Sequence, residues 1–191
     1  MIHRGMVADP PRGLVAFGPL VAVQFQLDPR DAAARAAAAL PLPTSISGKV
    51  MIDTGAGGTH VFQSVPDQLG LVPIRYSPVI GVSGKSEDRP VYRLAVTIGM
   101  ADARGRIANT TFAADMFGAS TTFELPGFPE QVIGLLGRDF LAYFDFHYHG
   151  RTGEFEIVLP EAASQARLSD DEPKAKRLRK LARKSRKKNR R

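Results

Sequence analysis

The run Val50-Met51-Ile52 ends abruptly at Asp53-Thr54-Gly55-Ala56-Gly57-Gly58, which sets a carboxylate at the end of an apolar strand. That placement is costly unless the carboxylate is hydrogen-bonded or shares a proton. The turn offers the means. Gly55 lets the backbone come close and present amides, Thr54 carries a hydroxyl able to bond across an interface, and Ala56 is small enough to leave room for a substrate chain. The chemistry this suits is acid–base hydrolysis, and it calls for a second acid. Asp-Thr-Gly occurs once in the chain. The plainer reading of Asp53 is a turn aspartate capping its own backbone.

Other catalytic classes find less support. The absence of cysteine removes disulfides, thiolate metal sites and cysteine nucleophiles. Ser83, in Gly81-Val82-Ser83-Gly84, lacks the glycine spacing of a nucleophile elbow and fits a hairpin bend. His60, His147 and His149 fall in two distant segments that suit strand or turn positions better than a ligand set, so neither a metal nor another cofactor is assigned.

Mostly strands must position these residues. Residues 1–18 are rich in Pro, Gly and Ala without a sustained period and read as a loosely attached arm or an outer strand. Leu20, Val21, Val23, Phe25 and Leu27 alternate with Ala22, Gln24 and Gln26, the period of a strand with one buried face. Asp28 to Ala39 has the start and composition of a short surface helix, stopped by Pro41 and Pro43. Val61 to Leu71 suggests a helix with Ser64 as its cap, Pro66 in the first turn and Gly70 at its close. Ile80 to Ile98 reads as a hairpin bent at Gly81 to Gly84, and strands are expected at Ile107 to Ala114 and Val132 to Leu136. A helical turn, Arg138 to Ala142, then leads into a last hairpin of Tyr143 to Tyr148 and Glu154 to Leu159.

A length of 191 residues allows one domain with a real core, set at residues 19–160, and not two full catalytic lobes. The net charge of +7 is unevenly spread. Of the 26 bases, 12 lie between Pro173 and Arg191, where there is no acid, leaving 14 bases against 19 acids over residues 1–172. Residues 161–191 therefore read as a basic, disordered tail: either a solubilising end or a sequence-independent, salt-sensitive binder of nucleic acid, since it has no aromatic residue to stack on bases. No uninterrupted apolar run is long enough for a membrane span, and the expected location is cytoplasmic.

Val50-Met51-Ile52-Asp53-Thr54-Gly55-Ala56 resembles the active-site signature of the retropepsin-like aspartic proteases. A second block, Val132-Ile133-Gly134-Leu135-Leu136-Gly137-Arg138-Asp139-Phe140-Leu141, is similar to that family's hydrophobic-glycine strand and short C-terminal helix. Between the two lies a glycine-bearing hairpin, Val79 to Gly84, where the family places its flap. Order and spacing agree over Pro19 to Leu159.

The resemblance implies a mainly β, closed, single-lobe barrel of six to seven strands that dimerises to complete the active site, with a polypeptide as substrate. It assigns catalysis to Asp53 of each subunit, the joining of the two turns to Thr54, substrate backbone contact to Gly55 with Ala56 beside it, and the flap to Ile80, Gly81, Val82, Ser83 and Gly84. Asp-x-Gly with a following Gly-Thr also resembles the phosphate loop of actin-like ATPases and sugar kinases, which need two large lobes. The sequence departs from the protease pattern in two places: Gly57 and Gly58 stand where viral members commonly carry an acid that pairs with the helix arginine, here Arg138, and the link over Asp28 to Ile46 is longer than usual. These departures motivate a second reading, a catalytically silent dimerisation module of the same fold with a nucleic-acid-binding tail.

Overall fold

The period of two in the first expected strand becomes an inner wall: Val21, Val23, Phe25 and Leu27 are buried, while Ala22 is exposed and Gln24 and Gln26 are half-buried. The computed structural model describes residues 1–6, 18–81, 84–120 and 132–160. Their strands in chain order are β1 (Ile2–Met6), β2 (Leu20–Leu27), β3 (Ile46–Ile52), β4 (His60–Phe62), β5 (Arg75–Ile80), β6 (Ser86–Ala101), β7 (Ile107–Ala119), β8 (Val132–Leu136), β9 (Asp145–His149) and β10 (Glu154–Val158). The helices are α1 (Pro29–Ala37), α2 (Ser64–Gln68) and α3 (Arg138–Leu141).

Six of these strands close on themselves. β2 pairs antiparallel with β3, β3 parallel with β8, β8 antiparallel with β4, β4 parallel with β7, β7 antiparallel with β6, and β6 antiparallel with β2. The ring leaves none of the six an open edge, and it is the mainly β, closed barrel that the sequence led us to expect. Its interior is apolar and includes Val50, Val61, Leu94, Val96, Met116 and Leu136. On β6, Leu94 to Ile98 are buried without interruption, so this strand is covered on both faces.

Outside the ring, β1, β10 and β9 form a three-stranded antiparallel layer joined to β6 at Ile2 and Ala101. Ile2 to Met6 thus form an outer strand rather than a loose arm, and His3 Nδ1 is also 2.9 Å from the carbonyl of Gly99. Phe140 and Phe144 stack at 4.8 Å and both meet the ring of Phe112 edge-on, which docks α3 on the barrel. β5 pairs with the first part of β6 and extends away from the closed ring as a hairpin.

Several boundaries differ from the sequence expectations. Ser64 is the first residue of α2 rather than its cap; Gln63 holds the cap position without a side-chain bond, and His60 to Phe62 form a strand before it. The first arm of the hairpin is Arg75–Ile80, with Ile80 as its last residue instead of its first. β7 runs five residues past Ala114, because Asp115 is paired with arginines and Met116 and Gly118 turn inward. α1 forms as expected, with Asp28 Oδ1 accepting the Arg30 amide at 2.8 Å.

Candidate active site

Parallel pairing explains how residues 84 positions apart come together. β3 and β8 run side by side to the matched pair Ile52 and Leu136, so their next residues, Asp53 and Gly137, emerge at the same end of the barrel. The Asp53 amide donates to the Leu136 carbonyl at 3.0 Å, and the Ile52 amide donates to that of Pro19 at 2.9 Å. Both sides of the strand end are thereby fixed.

Asp53 is half-buried. Its Oδ1 accepts the amides of Gly55 at 2.8 Å and Ala56 at 3.1 Å, and the Ala56 amide lies 3.2 Å from the Asp53 carbonyl. One carboxylate oxygen is therefore committed to the turn. Among the described residues the other, Oδ2, accepts no hydrogen bond and is left for a further partner. Thr54 and Gly55 are exposed and Ala56 is half-buried, so the turn lies at an open surface. Two shallow hollows elsewhere, about 440 Å³ beside Arg4 and Phe155 and about 590 Å³ beside Gln24 and Asn109, do not include it.

A second tier of contacts holds the turn to the segment after β8. The hydroxyl of Thr59, only 1% exposed, accepts the Gly137 amide at 3.1 Å and donates to Asp139 Oδ1 at 2.8 Å. The same oxygen of Asp139 accepts the Phe140 amide at 2.8 Å, and the Arg138 amide donates to the Ala56 carbonyl at 3.0 Å. Asp139 is therefore engaged with Thr59 and the start of α3, not with Arg138. The approach is close enough that a Cβ on Gly137 would lie 2.4 Å from the Gly58 carbonyl carbon and oxygen, and one on Gly58 would lie 2.6 Å from the ring of Phe117. Glycine at 58 and 137 is a packing requirement.

The sequence did not single out Thr59. A buried hydroxyl can be anticipated only by knowing that the Gly137 amide, beyond the end of β8, lacks a ladder partner and must find one. His60, expected at a strand or turn position rather than as a metal ligand, is the first residue of β4. Its Nδ1 is 2.8 Å from the Gly58 carbonyl, and its ring stacks on Phe117 at 5.4 Å. His147 and His149 are exposed on β9, and among the described residues no group of three or more His, Asp or Glu is arranged to hold a metal.

The hairpin joins this region at its root. Val91 of β6 pairs with Phe117 of β7, and the Phe117 amide donates to the Thr59 carbonyl at 2.9 Å. At the tip, Ile80 is 75% exposed, the Gly81 amide donates to the Lys85 carbonyl, and Gly84 has a φ of +74°, which glycine adopts without strain. Val82 and Ser83 lie outside the described residues.

Across three strands, Asp115 of β7 accepts Arg75 of β5 at 2.6 Å and Arg93 of β6 at 2.7 and 2.9 Å. Burial opposes ionisation of Asp115, but the hydrogen bonds and charges of the two arginines outweigh it and hold the carboxyl below its ordinary range. The Arg93 guanidinium is raised in turn, chiefly by its hydrogen bond to Asp115.

No protein-family model and no curated protein matches the chain. Among solved structures it is similar to a retropepsin-like aspartic protease from Rickettsia conorii, at 14% identity and a TM-score of 0.47, over 82% of this chain and 91% of that one. It is also similar to the EIAV protease complexed with the inhibitor HBY-793, at 21% identity and a TM-score of 0.24, over 50% of this chain and 75% of that one. Both likenesses are at low identity, and what the site can do follows from its own atoms.

Proposed function

We propose that the chain is an aspartic endopeptidase in which Asp53 from each subunit of a homodimer forms one active site. The observation that carries this reading is the bonding of Asp53 at an exposed turn: one oxygen is fixed by the Gly55 and Ala56 amides, and the other accepts no hydrogen bond among the described residues. Two such carboxylates brought into contact share a proton, because both cannot ionise without a large penalty. The ionised one takes a proton from water, the water attacks the peptide carbonyl, and the protonated one polarises that carbonyl.

Thr54, exposed at the turn, would contact its counterpart in the second subunit, and Gly55 would meet the substrate backbone. The hairpin of β5 and β6, Ile80 to Gly84 at its tip, would close over an extended peptide, adding strand-like hydrogen bonds and excluding water. The rigid tie between Asp53 and the second block supports the reading, since a catalytic carboxylate must be held in place before substrate arrives.

The test is peptide cleavage by wild type and Asp53→Asn, with oligomeric state recorded on the same samples. Cleavage should appear only in the wild type, as a dimer, and Asp53→Asn should keep its fold, because its side-chain oxygen can still accept the turn amides. Cleavage retained by the variant would refute the assignment. Absence of cleavage by a folded wild-type dimer would favour the silent dimerisation module. The 12 bases between Pro173 and Arg191 support a nucleic-acid-binding tail in either case, and deleting them should remove salt-sensitive binding to single- and double-stranded nucleic acid alike.

A further inference from the structure

Several arginines among the described residues are matched to acids. Arg4 pairs with Glu156, Arg75 and Arg93 with Asp115, Arg89 with Glu87, and Arg106 with Asp102, all at 2.6 or 2.7 Å. Arg138 differs from these. It is exposed, and among the described residues its guanidinium has no acid partner, although its own amide is bonded to the Ala56 carbonyl of the Asp53 turn. Two acids of the site have oxygens already engaged: Asp139 Oδ1 with the Thr59 hydroxyl and the Phe140 amide, Asp53 Oδ1 with the Gly55 and Ala56 amides.

What faces the guanidinium is a space. A Cβ built on Gly57 would stand 3.7 Å from Arg138 Nη2, an ordinary contact distance, with no other atom within 4 Å. A side chain at position 57 would therefore fit and would meet the guanidinium directly. With glycine there, the planar fork of donors beside the Asp53 turn stays open to a carboxylate arriving from outside the chain.

We infer that Arg138 is a specificity-determining residue, which binds an acidic side chain of the peptide substrate in the gap left by Gly57. The inference rests on the peptidase reading of Asp53. A charge-assisted, two-pronged contact at a partly solvated position should favour a glutamate over a glutamine in one substrate position by about three- to tenfold, and salt should weaken the preference.

Binding separates this inference from catalysis. Position-scanning peptide pools carrying either Glu or Gln at each position in turn would be titrated against the Asp53→Asn protein by fluorescence anisotropy. The expected result is a Glu preference at one position that is lost in Arg138→Met, reduced but still present in Arg138→Lys, which keeps the charge without the fork, and lost again in Gly57→Asp, where the chain itself supplies the acid. Thermal unfolding of each variant controls for folding, and Arg138→Met decides the matter if Gly57→Asp is unstable.

No preference at any position, or one that Arg138→Met leaves intact, overturns the inference. So does an Arg138→Met variant that self-associates more weakly with its Glu-to-Gln ratio unchanged, because the guanidinium would then serve the second copy of the chain. A wild type that cleaves nothing while the Asp53→Asn protein keeps the preference removes the peptidase reading and leaves the carboxylate site standing.

Discussion

The Asp53 turn and the β5–β6 hairpin are neighbours secured by different physics. The turn is held from beneath by buried groups: Thr59 at 1% exposure, the matched strand ends at Ile52 and Leu136, and close approaches that admit only glycine at 58 and 137. The hairpin is held from the side by surface charges, with Tyr76 and Ile80 exposed by 67% and 75% and an ion-paired triad at its root. Buried contacts fix a geometry; partly solvated ion pairs permit excursions at small cost. The proposed peptidase, which would hold a carboxylate still and admit a long chain, would need both a fixed turn and a hairpin free to move.

The largest effect should come from breaking the fixed half. In Gly137→Ala the new methyl would meet backbone atoms of Gly58 and Thr59 at 2.4 to 2.9 Å, and neither can rotate aside. We expect a loss of about 3 kcal/mol or more in chemical denaturation, the upper end for overpacking. A loss below about 1 kcal/mol would mean that the two blocks can move apart, and the contrast with the hairpin would lapse. Thr59→Val should cost less, about 1–3 kcal/mol, because it leaves the buried Gly137 amide without an acceptor while keeping the side chain's shape. Thr59→Ser should recover most of that, which distinguishes the hydroxyl from the methyl as the cause.

How far these regions could be read in the sequence follows the same division. Periodicity marked β2 and β8 because burial on one or both faces leaves a pattern in the residue types, and Asp53-Thr54-Gly55 stood out because a carboxylate at the end of an apolar strand is rare. The tie through Thr59 was invisible, since it depends on the antiparallel pairing of β4 with β8, which lie far apart in the sequence. β1 was half legible, as one of two readings of residues 1–18, for a related reason. Its five residues alternate weakly, and they form a strand only because β10 supplies the partner edge. Ser64 was misplaced as a cap because Ser is favoured there, yet the chain arrives from a strand and turns one residue earlier. The open guanidinium of Arg138 was half legible: the sequence showed the missing acid at 57, and the fold showed that Asp139 is occupied elsewhere.

The smallest and most condition-dependent effect belongs to the hairpin. Asp115→Asn removes the charge that binds Arg75 of β5 and Arg93 of β6 to β7, and because the arginine side chains are close to half exposed the cost at neutral pH should be only about 0.2–1 kcal/mol, less at high salt. Its pH dependence identifies the cause. The carboxyl is depressed in the folded protein, so its stabilisation is fully present above the ordinary value of 3.8 and disappears as pH falls through the lower folded value. Wild type and Asp115→Asn should therefore differ in unfolding free energy near neutrality and converge as pH falls through the lowered folded value. Amide exchange should rise in β5 and the outer part of β6 but not around Asp53, because the triad secures the hairpin and the turn depends on Thr59 and Gly137. If exchange rises equally at the turn, the two regions open together and the division between a fixed floor and a movable cover is wrong. If the gap persists unchanged to low pH, Asp115 acts through its shape and not its charge.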